Sequence, residues 1–343
     1  MGTRRCVIVS HDSALEFWRA ARVAGAREAA AATEPDGELF GGRALTGAEL
    51  ARRAVVACGL NEPLHLLSVA GAGRVNSARV VNHLCSARPA ESLLFDAAPG
   101  VRVCRMPLVL VQLARSLDVV ELARIAYEMT GTYGVDPASG EVRDAAPLHS
   151  LQELKGQATL ARATGVPGAS RACDALGLVV PNANSVREAD VALMLMLSRA
   201  RGGFHLPGFE LNPTIELPKE LWRVVGSATL KPDFYWDSAR MIVEYESDDW
   251  HATPEAMHRD ERRRRAFEAA GFVHQRLTND ILKSDTQLNI FMAELVREID
   301  PYRRRASASM LKRRSDLREL LFGPQDVEEA LKDLANPYEG VIL

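Results

Sequence analysis

The sequence is most informative in one stretch, residues 231–251, which reads KPDFYWDSARMIVEYESDDWH. Two short runs of β-type residues, FYW and MIVEY, flank the polar residues DSAR, and this pattern predicts a β-hairpin. The hairpin carries Asp233, Glu244 and Glu246, and His251 follows it. Burying a carboxylate without a partner costs several kcal/mol or forces it to take up a proton. Either these side chains face water, therefore, or a positive group lies among them.

Side-chain alternation in the second strand places Glu244 and Glu246 on one face. If the turn is centred on WDSAR, Asp233 lies on the same face in the neighbouring strand. Carboxylates within about 5 Å of each other repel unless a cation neutralises them, and hard oxygen ligands suit Mg²⁺ or Mn²⁺. The same spacing also fits an amphipathic hairpin whose acidic face is solvated. Spacing alone leaves both interpretations open.

The flanking sequence predicts a mixed α/β domain. From residue 185 onward the periodicity predicts the order α-β-β-β-α-β-α. The predicted segments are a helix in SVREADVALMLMLSRA, strands at 222–230, 232–236 and 240–246, a helix through TPEAMHRDERRRRAFEAAG, a strand at 272–277 and a helix from Asn279. A hydrophobic hairpin followed by a helix and a further strand is expected to form a mixed sheet flanked by helices.

A specific set of short motifs follows this order: Pro232-Asp233, then Glu244-x-Glu246, then Trp250-His251, then RDERRRRAFEAAG and FVHQRLT. This set resembles the PD-(D/E)xK, or restriction-endonuclease-like, nuclease superfamily, in the branch related to very-short-patch-repair endonucleases. The likeness covers about residues 185–285, under a third of the chain. It implies a restriction-endonuclease-like mixed sheet with the acidic cluster at the strand ends.

The resemblance also implies roles for individual residues. Asp233 and Glu244 resemble the metal-binding pair, which would hold one or two Mg²⁺ or Mn²⁺ ions. Glu188 resembles the acidic residue that the first helix of the superfamily often supplies. His251 resembles the histidine that positions or deprotonates the attacking water, a role that suits its near-neutral pKa. Glu246 departs from the pattern, because it stands where the superfamily usually has a lysine.

Two of these residues have an ordinary structural interpretation as well. Ser185-x-x-Glu188 is a capping-box pattern, which needs no catalysis. His251 can equally be a surface histidine. The sequence does not choose between the two interpretations for either residue.

Arginines near the acidic site are candidates for binding nucleic-acid phosphates. They lie in the helix that follows the hairpin and in the basic segment 301–320, which also contains Lys312–Arg314. The predicted phosphate contacts are Arg259, Arg262, Arg263, Arg265, Arg303, Arg304 and Arg305. The alternative is a solvated helix face, since Asp260, Glu261 and Glu268 offer local partners.

Composition bounds the class of protein. The chain has 343 residues and a formal net charge of −3, so global charge points neither toward nor away from nucleic acid. Its five cysteines are scattered without a CxxC pair, which indicates neither a disulfide framework nor a zinc knuckle. No apolar run approaches the roughly 20 residues that span a bilayer, and no signal-peptide core is present. We therefore expect a cytoplasmic protein without membrane contact.

The predicted domain plan has four parts. Residues 1–150 are expected to be a mainly helical regulatory or nucleic-acid-binding region, and 151–184 a helical connector. Residues 185–300 form the restriction-endonuclease-like domain, and 301–343 a basic C-terminal helix and tail. Within the first part, Thr46 and Glu49 predict a capping box and Gly59 the end of that helix. This N-terminal half resembles proteins of the abortive-infection antitoxin type, which join a helical regulatory region to a nuclease-like C-terminus.

Two function classes follow. The first is a metal-dependent endonuclease that hydrolyses nucleic-acid phosphodiesters, expected to be DNA, in bacterial defence or repair. The second keeps the nuclease fold as a non-catalytic nucleic-acid-binding protein or an antitoxin-like transcriptional regulator, and Glu246 in place of lysine favours it. Either class is compatible with a toxin or defence protein as partner. The sequence leaves the oligomeric state and the choice between DNA and RNA undetermined.

Overall fold

The computed structural model describes residues 6–25, 46–69, 74–86, 88–246, 264–265, 267–302 and 306–323. The chain forms two compact units, Met1–Val179 (unit 1) and Val180–Leu343 (unit 2). Helices and mixed sheets occur in both units, so the expected α/β class is confirmed. No helix among the described residues is long and apolar enough to cross a bilayer.

Unit 1 is organised around a five-stranded mixed sheet with the order β3-β2-β1-β5-β4. β1 runs parallel to β5 and β2 parallel to β3, and the other pairs are antiparallel. Every residue of β1 is buried, which indicates that both faces of the central strand are covered. The prediction of a mainly helical region missed this sheet. Its strands are β1 (Val7–Val9), β2 (Leu64–Val69), β3 (Val80–Cys85), β4 (Leu94–Ala98) and β5 (Val101–Cys104).

The helices of unit 1 pack on this sheet and on one another. α2 begins and ends as predicted, with a capping box between Thr46 and Glu49 and a left-handed Gly59. The predicted connector 151–184 supplies two helices that pack against α3 and α4 within unit 1. The elements are α1 (His11–Val23), α2 (Gly47–Cys58), a 3₁₀ turn (Glu91–Leu93), α3 (Met106–Leu113), α4 (Val119–Thr130), the hairpin β6 (Tyr133–Val135) and β7 (Val142–Asp144), α5 (Leu151–Ala163) and α6 (Ala169–Leu176).

Unit 2 contains the mixed sheet that the hairpin predicts. Its four strands have the order β13-β12-β11-β8, with β12 and β13 parallel and the other pairs antiparallel, and β9 and β10 form a separate two-stranded sheet. The elements are α7 (Val186–Met196), β8 (Glu210–Leu211), β9 (Ile215–Glu216), α8 (Trp222–Val225), β10 (Thr229–Leu230), β11 (Phe234–Trp236), β12 (Met241–Glu246), β13 (Val273–Thr278), α9 (Asn279–Lys283), α10 (Asp285–Ile299) and α11 (Ala308–Phe322), with 3₁₀ turns at Arg199–Arg201 and Lys219–Leu221.

The predicted strand at 222–230 is wrong in its first half. The 3₁₀ turn Lys219–Leu221 continues into α8, which ends at Gly226 in the left-handed conformation. Only Thr229–Leu230 pairs as a strand. The β-branched residues of WRVVGSATL favour a strand locally, but the preceding turn and the glycine decide the conformation.

The basic segment after residue 300 includes a helix that is part of unit 2. α11 approaches Gly202, whose φ is +87°, so closely that a Cβ there would lie 2.3 Å from the Arg313 carbonyl oxygen. Arg314 is only 6% exposed, and its guanidinium lies over the Phe204 ring at 3.9 Å and donates to Asn289 Oδ1 at 2.8 Å. The expectation that Lys312–Arg314 forms one cluster facing nucleic acid is therefore wrong for Arg314, which anchors the helix.

Candidate functional site

The β11–β12 hairpin forms where the sequence predicts one. Tyr235 pairs with Ile242 and Phe234 with Val243, and one further step of this register places Asp233 opposite Glu244. Tyr235 and Ile242 belong to a buried apolar cluster of unit 2. Because side chains alternate along a strand, Asp233 and Glu244 follow these two residues on the same side of the sheet. The apolar part of the hairpin is thus buried, and the carboxylates lie at its open end.

Asp233 is half-buried and held by the backbone of the neighbouring strand. Its Oδ2 accepts a hydrogen bond from the Tyr245 amide at 2.8 Å. β11 begins only at Phe234, so the Asp233 carboxylate accepts a hydrogen bond from a β12 N–H that lies beyond the end of the β11–β12 pairing. This contact fixes the orientation of Asp233 beside the end of β12.

Glu244 has a partner that the sequence analysis missed. Its Oε2 lies 3.1 Å from His274 Nε2, and the two side chains are only 14% and 7% exposed. His274 also packs against the Phe267 ring at a centroid distance of 4.9 Å. His274 lies on β13, so its approach to Glu244 depends on the parallel β12–β13 register. Nothing in the local sequence sets that register.

Glu246 forms an ion pair with Arg276, also on β13. The two side chains are 32% and 54% exposed, so the pair is near the surface. Both glutamates of β12 therefore have a basic side chain of β13 beside them. Basic side chains of the protein itself therefore lie beside two of the three carboxylates of the hairpin.

Glu188 is buried, and its amide donates to Ser185 Oγ at 3.1 Å, which is one half of the capping box that the spacing predicts. Glu188 is 7% exposed and accepts hydrogen bonds from the Asn184 amide at 2.9 Å, Ser185 Oγ at 3.0 Å and Asn212 Nδ2 at 2.7 Å. The backbone N–H of Asn212 donates to the backbone carbonyl oxygen of Asp233 at 3.1 Å. Asn212 thus connects the Glu188 side chain, on the first helix of unit 2, to the backbone at Asp233.

Asn212 is expected to be important for this connection. Its φ is +51°, a left-handed conformation that asparagine tolerates better than most residues. We expect Asn212→Gly, which keeps that backbone conformation accessible, to destabilise unit 2 by about 1–3 kcal/mol through the lost donor to a buried carboxylate. Asn212→Ala is expected to cost about 1 kcal/mol more because of the left-handed backbone. Urea unfolding of both variants measures the two contributions, and equal stability of Asn212→Gly and wild type would contradict the structural role.

Several predicted residues cannot be placed. His251, Arg259, Arg262, Arg263, Arg303, Arg304 and Arg305 lie outside the described residues. Arg265 is exposed in a helical segment, and the adjacent Arg264 pairs with Glu268 at 2.7 Å. Part of this basic helix is therefore bound to its own acidic residues, as the solvated alternative predicts.

The described residues contain no metal cage made of protein ligands alone. Within the described part of the chain, no group of three or more His, Cys, Asp or Glu side chains is arranged to hold a metal. Mg²⁺, however, is commonly bound by one or two carboxylates together with waters and substrate phosphates, rather than by an all-protein cage. The Asp233–Glu244 pair offers this donor set.

Comparison with known proteins adds no information about this site. Comparison of the chain with protein-family models, with curated proteins and with solved structures finds no match.

Proposed function

We propose that unit 2 is a Mg²⁺- or Mn²⁺-dependent endonuclease that hydrolyses phosphodiesters of nucleic acid, with DNA as the expected substrate. The observation that carries the proposal is the position of Asp233 opposite Glu244 at the open end of a hairpin in a mixed four-stranded sheet. The resemblance to restriction-endonuclease-like nucleases implies this position for a metal-binding pair. The link from Glu188 through Asn212 to Asp233 supports it.

The residues of the chain have distinct roles in this proposal. Asp233 and Glu244 would hold the ion, with Asp233 oriented by the Tyr245 amide and Glu244 by His274. A bound divalent ion lowers the pKa of a water molecule and stabilises charge on the reacting phosphoryl group. His251, by resemblance, positions that water. The exposed Arg265 and Arg276 are candidates for backbone phosphate contacts, together with the predicted arginines outside the described residues.

A second function is favoured by a specific observation. Arg276 forms an ion pair with Glu246, and His274 lies within hydrogen-bond distance of Glu244, so both carboxylates have a protein partner without a metal ion. Glu246 also stands in place of the superfamily's lysine. Both facts favour a nuclease fold retained for binding nucleic acid without cleavage, as in an antitoxin-like regulator. In either case a role in bacterial defence or repair, with a toxin or defence protein as partner, rests on the resemblance.

Incubation with nucleic acid separates the two functions. The full chain is mixed with supercoiled plasmid, single-stranded DNA and RNA in Mg²⁺, in Mn²⁺ and in EDTA. The nuclease proposal predicts cleavage of at least one substrate that requires the metal and is lost in Asp233→Asn. Binding without cleavage in every condition would support the non-catalytic function instead, and absence of both would contradict both.

A further inference from the structure

Three histidines of unit 1 meet over the first turn of α1. The rings of His11 and His83 stack with centroids 3.5 Å apart and planes 15° apart. His83 Nε2 lies 3.2 Å from His65 Nδ1, which lies 3.1 Å from Asp12 Oδ2. Because His11 and Asp12 are consecutive in α1, the four side chains close a ring, which we call the histidine ring. The sequence analysis did not single out any of them.

The histidine ring occupies a favourable place in the sheet. β1 and β5 are parallel, so their carboxyl ends meet at the edge where α1 begins. Ligands of open α/β sheets bind outside the carboxyl ends of parallel strands. His11 follows β1 with a φ of +51°, a left-handed conformation that costs a non-glycine residue about 1–2 kcal/mol. Backbone strain of this kind concentrates at functional sites.

The first turn of α1 lacks a side-chain cap among the described residues. Ser10, at the N-cap position, makes no capping bond, and its Oγ lies 2.9 Å from His11 Nδ1. The His11 amide donates to Gln112 Oε1 at 3.1 Å, whereas the Asp12 and Ser13 amides have no acceptor among the described residues. His11 is 7% exposed, and its ring is held by the Nδ1 contact with Ser10 and by the stack on His83. A nearly buried imidazole and an uncapped helix N-terminus thus occur together.

Two charged side chains lie near the histidine ring, Arg115 just after α3 and Asp12 in the first turn of α1. Burial, then His83, His65 and Arg115, lower the pKa of His11 to about 3, and burial and His65 lower the pKa of His83. Arg115 is exposed just after α3, and Asp12 is the carboxylate at the rim, with its side chain 65% exposed. Protonation of the ring is therefore unfavourable unless an anion accompanies the proton.

We propose that the histidine ring and the start of α1 bind a phosphate group, free or as a monoester, with uptake of a proton by the ring. Helix N–H groups, imidazole N–H groups and a nearby arginine are the donors that phosphate oxygens prefer. A phosphate monoester loses its second proton near pH 6, so it exchanges protons in the range where histidine titrates. Since linkage is reciprocal, protons favour phosphate binding as much as phosphate favours protonation. This site lies in unit 1 and is independent of the proposed nuclease site.

Calorimetry on the full chain tests the site with inorganic phosphate as the probe, at pH 6 and pH 8 and constant ionic strength. We expect binding at pH 6 that weakens at least about tenfold by pH 8. Arg115→Gln is expected to weaken it about tenfold, the scale of one charge-assisted hydrogen bond. Arg143→Gln is the matched control. Arg143 lies on β7, and Ala145, just after this strand, accepts a hydrogen bond from Arg22 in the last turn of α1. That turn is about 20 Å from the first turn of the helix, where the histidine ring lies. A parallel titration with a nucleoside 5′-monophosphate distinguishes free phosphate from a phosphate monoester as the ligand. Tighter binding of the nucleotide than of inorganic phosphate indicates the monoester.

Imidazole NMR signals provide a second measurement that does not depend on variants. Phosphate at pH 6 should shift three histidine signals, and His83→Gln should remove one of them and weaken binding. Equal weakening by Arg115→Gln and Arg143→Gln would show nonspecific charge attraction and overturn the proposal. So would the absence of both heat and signal shifts at phosphate concentrations of about 10 mM, a weak-binding limit.

Discussion

Glu244→Gln is expected to reduce metal-dependent cleavage by at least about 10³-fold, because loss of one carboxylate of a metal-binding pair removes several kcal/mol of transition-state stabilisation. Glutamine keeps the shape of the side chain and can still contact His274, so the fold should survive. The measurement is the initial rate of cleavage of the best substrate in Mg²⁺ and Mn²⁺, with thermal unfolding of both proteins alongside.

Two further variants make this result specific. Glu216→Gln removes an exposed carboxylate from β9, outside the four-stranded sheet, and should leave the rate unchanged. His274→Gln should lower the rate less than Glu244→Gln, because His274 orients the carboxylate without holding the ion. If Glu244→Gln cleaves as fast as wild type while destabilising the fold, Glu244 serves only its structural contact with His274.

Acidification from pH 7.5 to pH 5 is expected to destabilise unit 1 by about 2 kcal/mol. His11 has a pKa of about 3 in the folded state, against 6.5 as its ordinary value. Between these values the unfolded chain binds more protons than the folded one, so stability falls as pH falls below 6.5. The lowered pKa of His83 acts in the same direction.

Hydrogen exchange, corrected for the intrinsic pH dependence of the amide rates, localises this effect. Protection of peptides from α1, β2 and β3 should decrease between pH 7.5 and pH 5, and His83→Gln should flatten the dependence by removing one titrating ring. Unit 1 peptides whose protection stays constant over this range would contradict the lowered pKa values.

The hairpin could be predicted because its determinants are local. The polar residues between two β-type runs give the turn, and alternation then gives the faces on which Asp233 and Glu244 lie. The caps of α2 and the cap formed by Ser185 and Glu188 are local patterns in the same sense, and both occur in the structure. Patterns of this kind need only a few neighbouring residues.

What the sequence could not supply depends on pairing between distant segments. The central strand of unit 1 is only VIV, and its parallel partner begins at Val101. His274 approaches Glu244 through the register of a parallel pair whose strands are separated by a long crossover. The histidine ring combines residues of α1, β2 and β3, so no short sequence motif predicts it. Parallel registers are set by packing of the whole unit, which single-sequence periodicity does not contain.

The metal site between Asp233 and Glu244 is the central claim, and calorimetric titration with Mn²⁺ tests it most directly. Wild type is expected to bind Mn²⁺, with nucleic acid present if necessary, and Asp233→Asn is expected to bind none. Asparagine can still accept the Tyr245 amide hydrogen bond, so the metal-free variant should be as stable as wild type, or slightly more stable because carboxylate repulsion is relieved. Wild type that binds no Mn²⁺ at about millimolar concentration, even with nucleic acid, would contradict the claim.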